Sequence, residues 1–127
     1  MIPSGDHSLQ EAEMTLSTIA NSLAAMIFVI SGVAALINPG LFARLVGWIA
    51  ESRGTAEIRI NVGALWLGAG LAALVMQSPD VFRALGAGWL CIAVCRIMAY
   101  LLDKPSETRF YWLLLVGEII TAVLFLV

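Results

Sequence analysis

Four uninterrupted apolar runs, each about as long as a bilayer's hydrocarbon core is thick, constrain this chain more than any other feature. A membrane-crossing helix needs about 20 mostly apolar residues. The runs cover about Leu16 to Ile37, Glu57 to Met76, Val81 to Leu102 and Phe110 to Val127. The first three end at Asn38-Pro39-Gly40, Gln77-Ser78-Pro79-Asp80 and Asp103-Lys104-Pro105-Ser106, all strong helix breakers. Lipid offers no water to backbone N–H and C=O groups, so each crossing must satisfy its own hydrogen bonds. Barrel strands would alternate polar and apolar residues over short segments. Continuous runs of this length point instead to helices. The expected fold class is all-α: a four-helix transmembrane bundle, with its last three helices joined by short antiparallel turns.

Composition agrees with that reading. The chain is 61% hydrophobic and 13% charged, against about a quarter charged in soluble domains. In water so apolar a surface would aggregate. A net charge of -2 supplies no basic footprint for nucleic acid. Met1 to Met14 carries Asp6, Glu11 and Glu13 and no Lys or Arg. It therefore lacks the basic region of a signal peptide, and the first run is expected to remain as a span. Residues 1–15 form a polar N-terminal tail with a short helix expected near residues 9–15. Residues 16–127 form one membrane domain.

Leu41 to Glu51 reads differently. Leu41, Phe42, Leu45, Trp48 and Ile49 fall on one side of a helical wheel, with Arg44 and Glu51 elsewhere. This suits a short interfacial helix after the first span, because Trp and Arg favour the headgroup zone. Orientation follows from Lys and Arg. Arg44, Arg53, Lys104 and Arg109 lie on one side and only Arg83 on the other. Loops one and three are expected in the cytoplasm and both termini outside, with a bacterial inner membrane as the location.

Helices in lipid associate through small residues that let backbones approach. Ala24, Ala25, Ser31, Gly32 and Ala35 supply them in span one. Gly63, Ala64, Gly68 and Gly70 supply them in span two, and Ala84, Gly86 and Gly88 in span three. Gly32, Gly63, Ala64, Gly68, Gly70, Gly86 and Gly88 are the expected packing positions. No strand precedes these glycines and their spacing is not that of a phosphate cradle. Cys91 and Cys95, one turn apart, read as small apolar side chains. A metal site would need more ligands, and the only histidine, His7, lies in the tail.

Charged residues inside the spans carry the most information. A charge at mid-bilayer costs about 2.5–3.5 kcal/mol on insertion scales and survives when paired or turned inward. Arg96 lies about two turns before the end of span three, and Glu118 two to three turns into span four. An antiparallel hairpin brings them to similar depth. Glu57 and Asn61 share one face of span two, with Arg59 nearly opposite. Arg96, Tyr100 and Asp103 share a face, as do Tyr111 and Glu118. A polar cluster of Glu57, Asn61, Arg96, Tyr100 and Glu118, joined by Arg59, is expected in the cytoplasmic leaflet. Two readings stay open: a pair that locks helix register, or a site that holds a polar head group or relays protons.

Glu57-Ile58-Arg59 followed by Gly63, then Arg96 with Leu101-Leu102-Asp103-Lys104-Pro105-Ser106, then Glu118, resemble a group of small four-helix bacterial membrane proteins. That group is called domain of unknown function 4345, and the chain is similar in layout to DoxX-like proteins. The resemblance covers roughly Gly32 to Leu124 and implies a fold and a membrane location. It also hints at redox- or quinone-linked membrane assemblies.

Three functions compete. The first is a non-catalytic accessory or structural subunit of a larger membrane complex, with other membrane subunits or further copies of itself as partners. The alternative is a binding protein for a lipophilic small molecule such as a quinone, isoprenoid or lipid. The third is proton-coupled transport through Glu118 and Arg96. No cofactor is expected. Enzymatic chemistry is not expected either: no histidine or lysine lies in any span to act as a base.

Overall fold

The computed structural model describes residues 5–48, 51–103 and 108–127. The first helix, α1 (Gly5–Ile37), runs for 33 residues, about 50 Å at 1.5 Å per residue. Such a helix exceeds the roughly 30 Å hydrocarbon core. From Gly5 onward the polar tail is not a separate short helix but the first turns of α1 itself. Thr15 and Thr18 return their hydroxyls to the carbonyls of Glu11 and Met14, so the helix continues through this polar stretch. Pro39 ends α1, because proline disfavours helical backbone at the residue before it.

The same three residues that stop α1 start α2 (Pro39–Leu45). Asn38 caps it, its Oδ1 accepting the Leu41 N–H at 3.0 Å, and Pro39 fits the first turn, where no N–H is needed. A short non-spanning helix does follow the first span, but it is earlier and shorter than Leu41 to Glu51. Gly47, at φ 74°, lies just beyond its end, and Trp48 falls past the helix. Ile49 lies outside the described residues. Phe42, Ala43 and Pro39 turn inward.

The second span is built from α3 (Ser52–Glu57), a π-helical stretch (Ile58–Ala64) and α4 (Leu65–Met76). Gln77 closes it in the left-handed region at φ 45°, its Nε2 donating to the Leu74 carbonyl at 3.0 Å. After this turn come α5 (Pro79–Asp103) and α6 (Thr108–Leu126). Lys104, Pro105 and Ser106 of the expected third turn lie outside the described residues. Among the described residues three helices, over His7–Ile37, Gly54–Met76 and Pro79–Asp103, are long and apolar enough to cross a bilayer. The apolar helix Tyr111–Leu126 is shorter. The protein is a multi-pass α-helical bundle.

Two tight helix pairs make this bundle. In the first, α1 lies against the π stretch and α4. A Cβ on Gly32 would sit 2.9 Å from the Gly63 oxygen and collide with the Leu67 backbone nitrogen. A Cβ on Gly63 would sit 2.8 Å from Leu36 Cγ, and one on Gly70 2.8 Å from the Ala25 oxygen. The π-helical stretch lies at this crossing. In the second pair α5 lies against α6, where a Cβ on Gly86 would meet Leu126 Cγ at 2.7 Å. The pairs join where α1 meets α6, through Phe28 and Phe125 (ring centroids 5.5 Å apart). Between α4 and α5 the packing is thin, and the rings of Trp66 and Trp89 bridge it at 5.5 Å.

Four of the expected packing positions, Gly32, Gly63, Gly70 and Gly86, therefore sit at close approaches. The other three do not. Ala64, Gly68 and Gly88 are exposed, and a Cβ on Gly68 or Gly88 would meet nothing within 4 Å. The reason is geometric: each helix has one contact face, and these residues lie off it.

Bulk should therefore act position by position. Gly32→Leu drives a side chain into backbone and should cost about 3 kcal/mol, enough to weaken the folded protein measurably in detergent. Gly68→Leu should stay within about 0.5 kcal/mol of the parent. Thermal or SDS-induced unfolding of both purified variants reads the difference.

Candidate functional site

Arg96 on α5 and Glu118 on α6 meet inside the bundle. Arg96 Nε donates to Glu118 Oε2 at 2.7 Å, and Nη2 donates to Oε1. This two-pronged contact is the strongest geometry open to a guanidinium and a carboxylate. The two side chains are 17% and 6% exposed. Tyr111 completes the arrangement. Its hydroxyl donates to the Arg96 carbonyl, and its ring lies under the guanidinium, 5.2 Å from Cζ to centroid. Tyr100 packs its ring on Tyr111 at 5.6 Å and on Trp112 at 5.0 Å.

The expected polar cluster is thus split. Glu57, Arg59 and Asn61 are exposed, and Asn61 Nδ2 donates to Glu57 Oε2 at 2.6 Å. None of the three lines the cavity described below. They lie on α3 and the π stretch, which pack against α2, the π stretch also against α1, rather than against α5. Tyr111 belongs with Arg96 instead. Its seven-residue spacing from Glu118, two helical turns, was the signal that marks it.

Arg96 and Glu118 also line a cavity of about 450 Å³. Phe42, Trp48, Trp66 and Trp89 give it aromatic walls. Ser31 of α1 and Thr121 of α6 add hydroxyls. Thr121 spends its proton on the Gly117 carbonyl at 2.8 Å. Ser31, unlike Thr15, Thr18 and Thr121, returns no hydrogen bond to its own helix among the described contacts. Its donor is available to the cavity. No sequence signal pointed to these walls, because an aromatic residue in a helix that is apolar all round carries no direction.

Arg96 is held by the carboxylate it pairs with, and the one histidine, His7, sits in the first turns of α1 and does not line the cavity. Among the described residues no cluster of His, Cys, Asp or Glu suits a metal ion. Cys91 and Cys95 are free and face outward. Compared with known proteins, the chain matches no family model, no curated protein and no solved structure. The resemblance drawn from Glu57, Arg96, Glu118 and their neighbours thus rests on those residues alone.

Removing one partner of a buried pair costs about 3–5 kcal/mol, while replacing both by apolar residues is often neutral. Arg96→Leu should therefore destabilise the protein strongly, and Arg96→Leu with Glu118→Leu should recover most of the loss. Unfolding in detergent of the two single variants and the double variant makes the comparison. A double variant weaker than either single, by about the sum of the two losses, would mean that the residues act independently.

Proposed function

We propose that this protein binds a lipophilic small molecule with a polar head in the cavity between its helices. The observation that carries the reading is the cavity's two-sided chemistry: aromatic walls, with the Arg96–Glu118 pair and the Ser31 hydroxyl at the polar positions. Ligand sites are typically concave and mostly apolar, with a few polar groups that fix orientation, and their volumes run from about 300 to 1,000 Å³. This reading moves ahead of an accessory-subunit role for a physical reason. Lipid tails alone satisfy the outer apolar surface, whereas a polar-ended interior calls for a polar-headed guest. Proton-coupled transport has less support, because Glu118 is held by two hydrogen bonds.

The reading takes α6 as a fourth crossing, since it lies antiparallel along α5 from Tyr100 to Gly86. It takes loops one and three as cytoplasmic, on the Lys and Arg distribution, which sets the Arg96 end of the cavity in the inner leaflet.

Gly117 gives a clean test. It lines the cavity, yet a Cβ on it would meet nothing within 4 Å. Gly117→Phe should fill the space without disturbing the packing. After mild extraction, native mass spectrometry should find a discrete small mass on the parent protein and lose it in Gly117→Phe. A parent protein without such a mass, or a variant that keeps it at full occupancy, would contradict the proposal.

A further inference from the structure

A second space adjoins the cavity. It is a groove of about 230 Å³ between α4 and α5, where the two helices are thinly packed. Its walls are apolar: Leu65 and Ala69 on one side, Ala84, Leu85 and Gly88 on the other. Trp66, Trp89 and Ile92 line both the groove and the cavity. The two spaces thus share a wall, with the polar groups confined to the inner one. Gly88 keeps the groove open, because it presents no side chain where one would fit.

We infer that the groove between α4 and α5 holds the apolar tail of the cavity's guest and is its side entrance from the bilayer, and that the guest's head is uncharged. This rests on the ligand-binding reading above. The path follows from chemistry. A tail attached to a head at Arg96 and Ser31 needs an apolar route to lipid, and the groove is apolar and shares Trp66, Trp89 and Ile92 with the cavity.

The head's charge follows from the ion pair. Glu118 takes up two of the Arg96 donors and cancels its charge. A phosphate or carboxylate arriving there would face the Glu118 carboxylate in a medium of low dielectric, where like charges repel strongly. A neutral acceptor such as an ester or ketone carbonyl meets no such penalty. It can accept from the remaining guanidinium N–H groups and from Ser31.

Tryptophan fluorescence tests both halves. In a background carrying Trp48→Phe and Trp112→Phe, emission comes from Trp66 and Trp89 alone, which line the shared wall. Bromine atoms on an acyl chain quench nearby indoles. The probes are methyl 9,10-dibromostearate and 9,10-dibromostearic acid, titrated into phosphatidylcholine nanodiscs holding the protein at a pH where the acid is ionised. The expected result is saturable quenching, with the ester binding more tightly than the acid. Gly88→Leu should raise the half-saturating ester concentration about tenfold or more, the equivalent of roughly two buried methylenes. Gly68→Leu, equally open but outside the groove, should leave it unchanged.

The failures are distinguishable. Saturable quenching unaffected by Gly88→Leu would overturn the groove assignment and leave the cavity reading standing. Tighter binding of the acid would overturn the neutral head. No saturable quenching by either probe would overturn the ligand-binding reading and this inference together.

Discussion

A charge inside lipid has no water to turn to, and the contact between Arg96 and Glu118 answers that constraint. Either residue alone would oppose insertion of its helix. Together, with two hydrogen bonds between them, they are neutral to their surroundings and fix the depth at which α5 and α6 face each other. Tyr111 reinforces that register from one side, through its hydroxyl and its ring. The pair also sets the polar character of the interior. Without it the hydroxyls of Ser31 and Thr121 would be left among aromatic and aliphatic walls.

Glycine does for the other helix pair what charge does for this one. Gly32 and Gly63 bring the backbones of α1 and the second span into contact, and Gly70 continues the seam. The π-helical stretch coincides with the crossing. Such departures from regular helix often mark functional positions. Here the stretch carries Asn61 and the outward-facing Arg59, away from the buried ion pair. Because each pair is tight within itself, the bundle is not closed equally on all sides. The seam between α4 and α5 is held by Trp66 and Trp89 and little else. The interior space and its side groove both follow from that inequality.

Much of the helical framework could be read from the chain. Long apolar runs, interrupted at Asn38-Pro39, at Ser78-Pro79 and after Asp103, mark where the long helices end. The shared depth of Arg96 and Glu118 follows from the short turn between their helices. Other features were not legible, for specific reasons. Asn38 and Pro39 read as a stop, but the same groups also cap and open α2. The polar residues before Leu16 read as a tail, although they lie on a helix that needs no apolar face to continue from α1. Gly68 and Gly88 look like Gly63 and Gly86 in sequence. Only the direction of each helix's contact face separates them, and helices that are apolar all round give no sign of that direction. The same lack hid the aromatic walls of the cavity. The sequence groups Glu57 and Asn61 with Arg96 because they fall toward the same end of their spans. The second span instead pairs with α1.

The central claim is that Arg96 and Glu118 of one chain form a direct ion pair within the bilayer. Solid-state NMR in lipid, with ¹⁵N-labelled arginine and ¹³C-labelled glutamate, measures it through the dipolar coupling between the guanidinium nitrogens and the side-chain carboxyl carbon. The expected result is a strong coupling that Glu118→Gln weakens and that persists, per labelled chain, when labelled protein is diluted with unlabelled protein. The absence of coupling, or its loss on dilution, would mean that the two charges find other partners or meet only between chains. Either result would contradict the account.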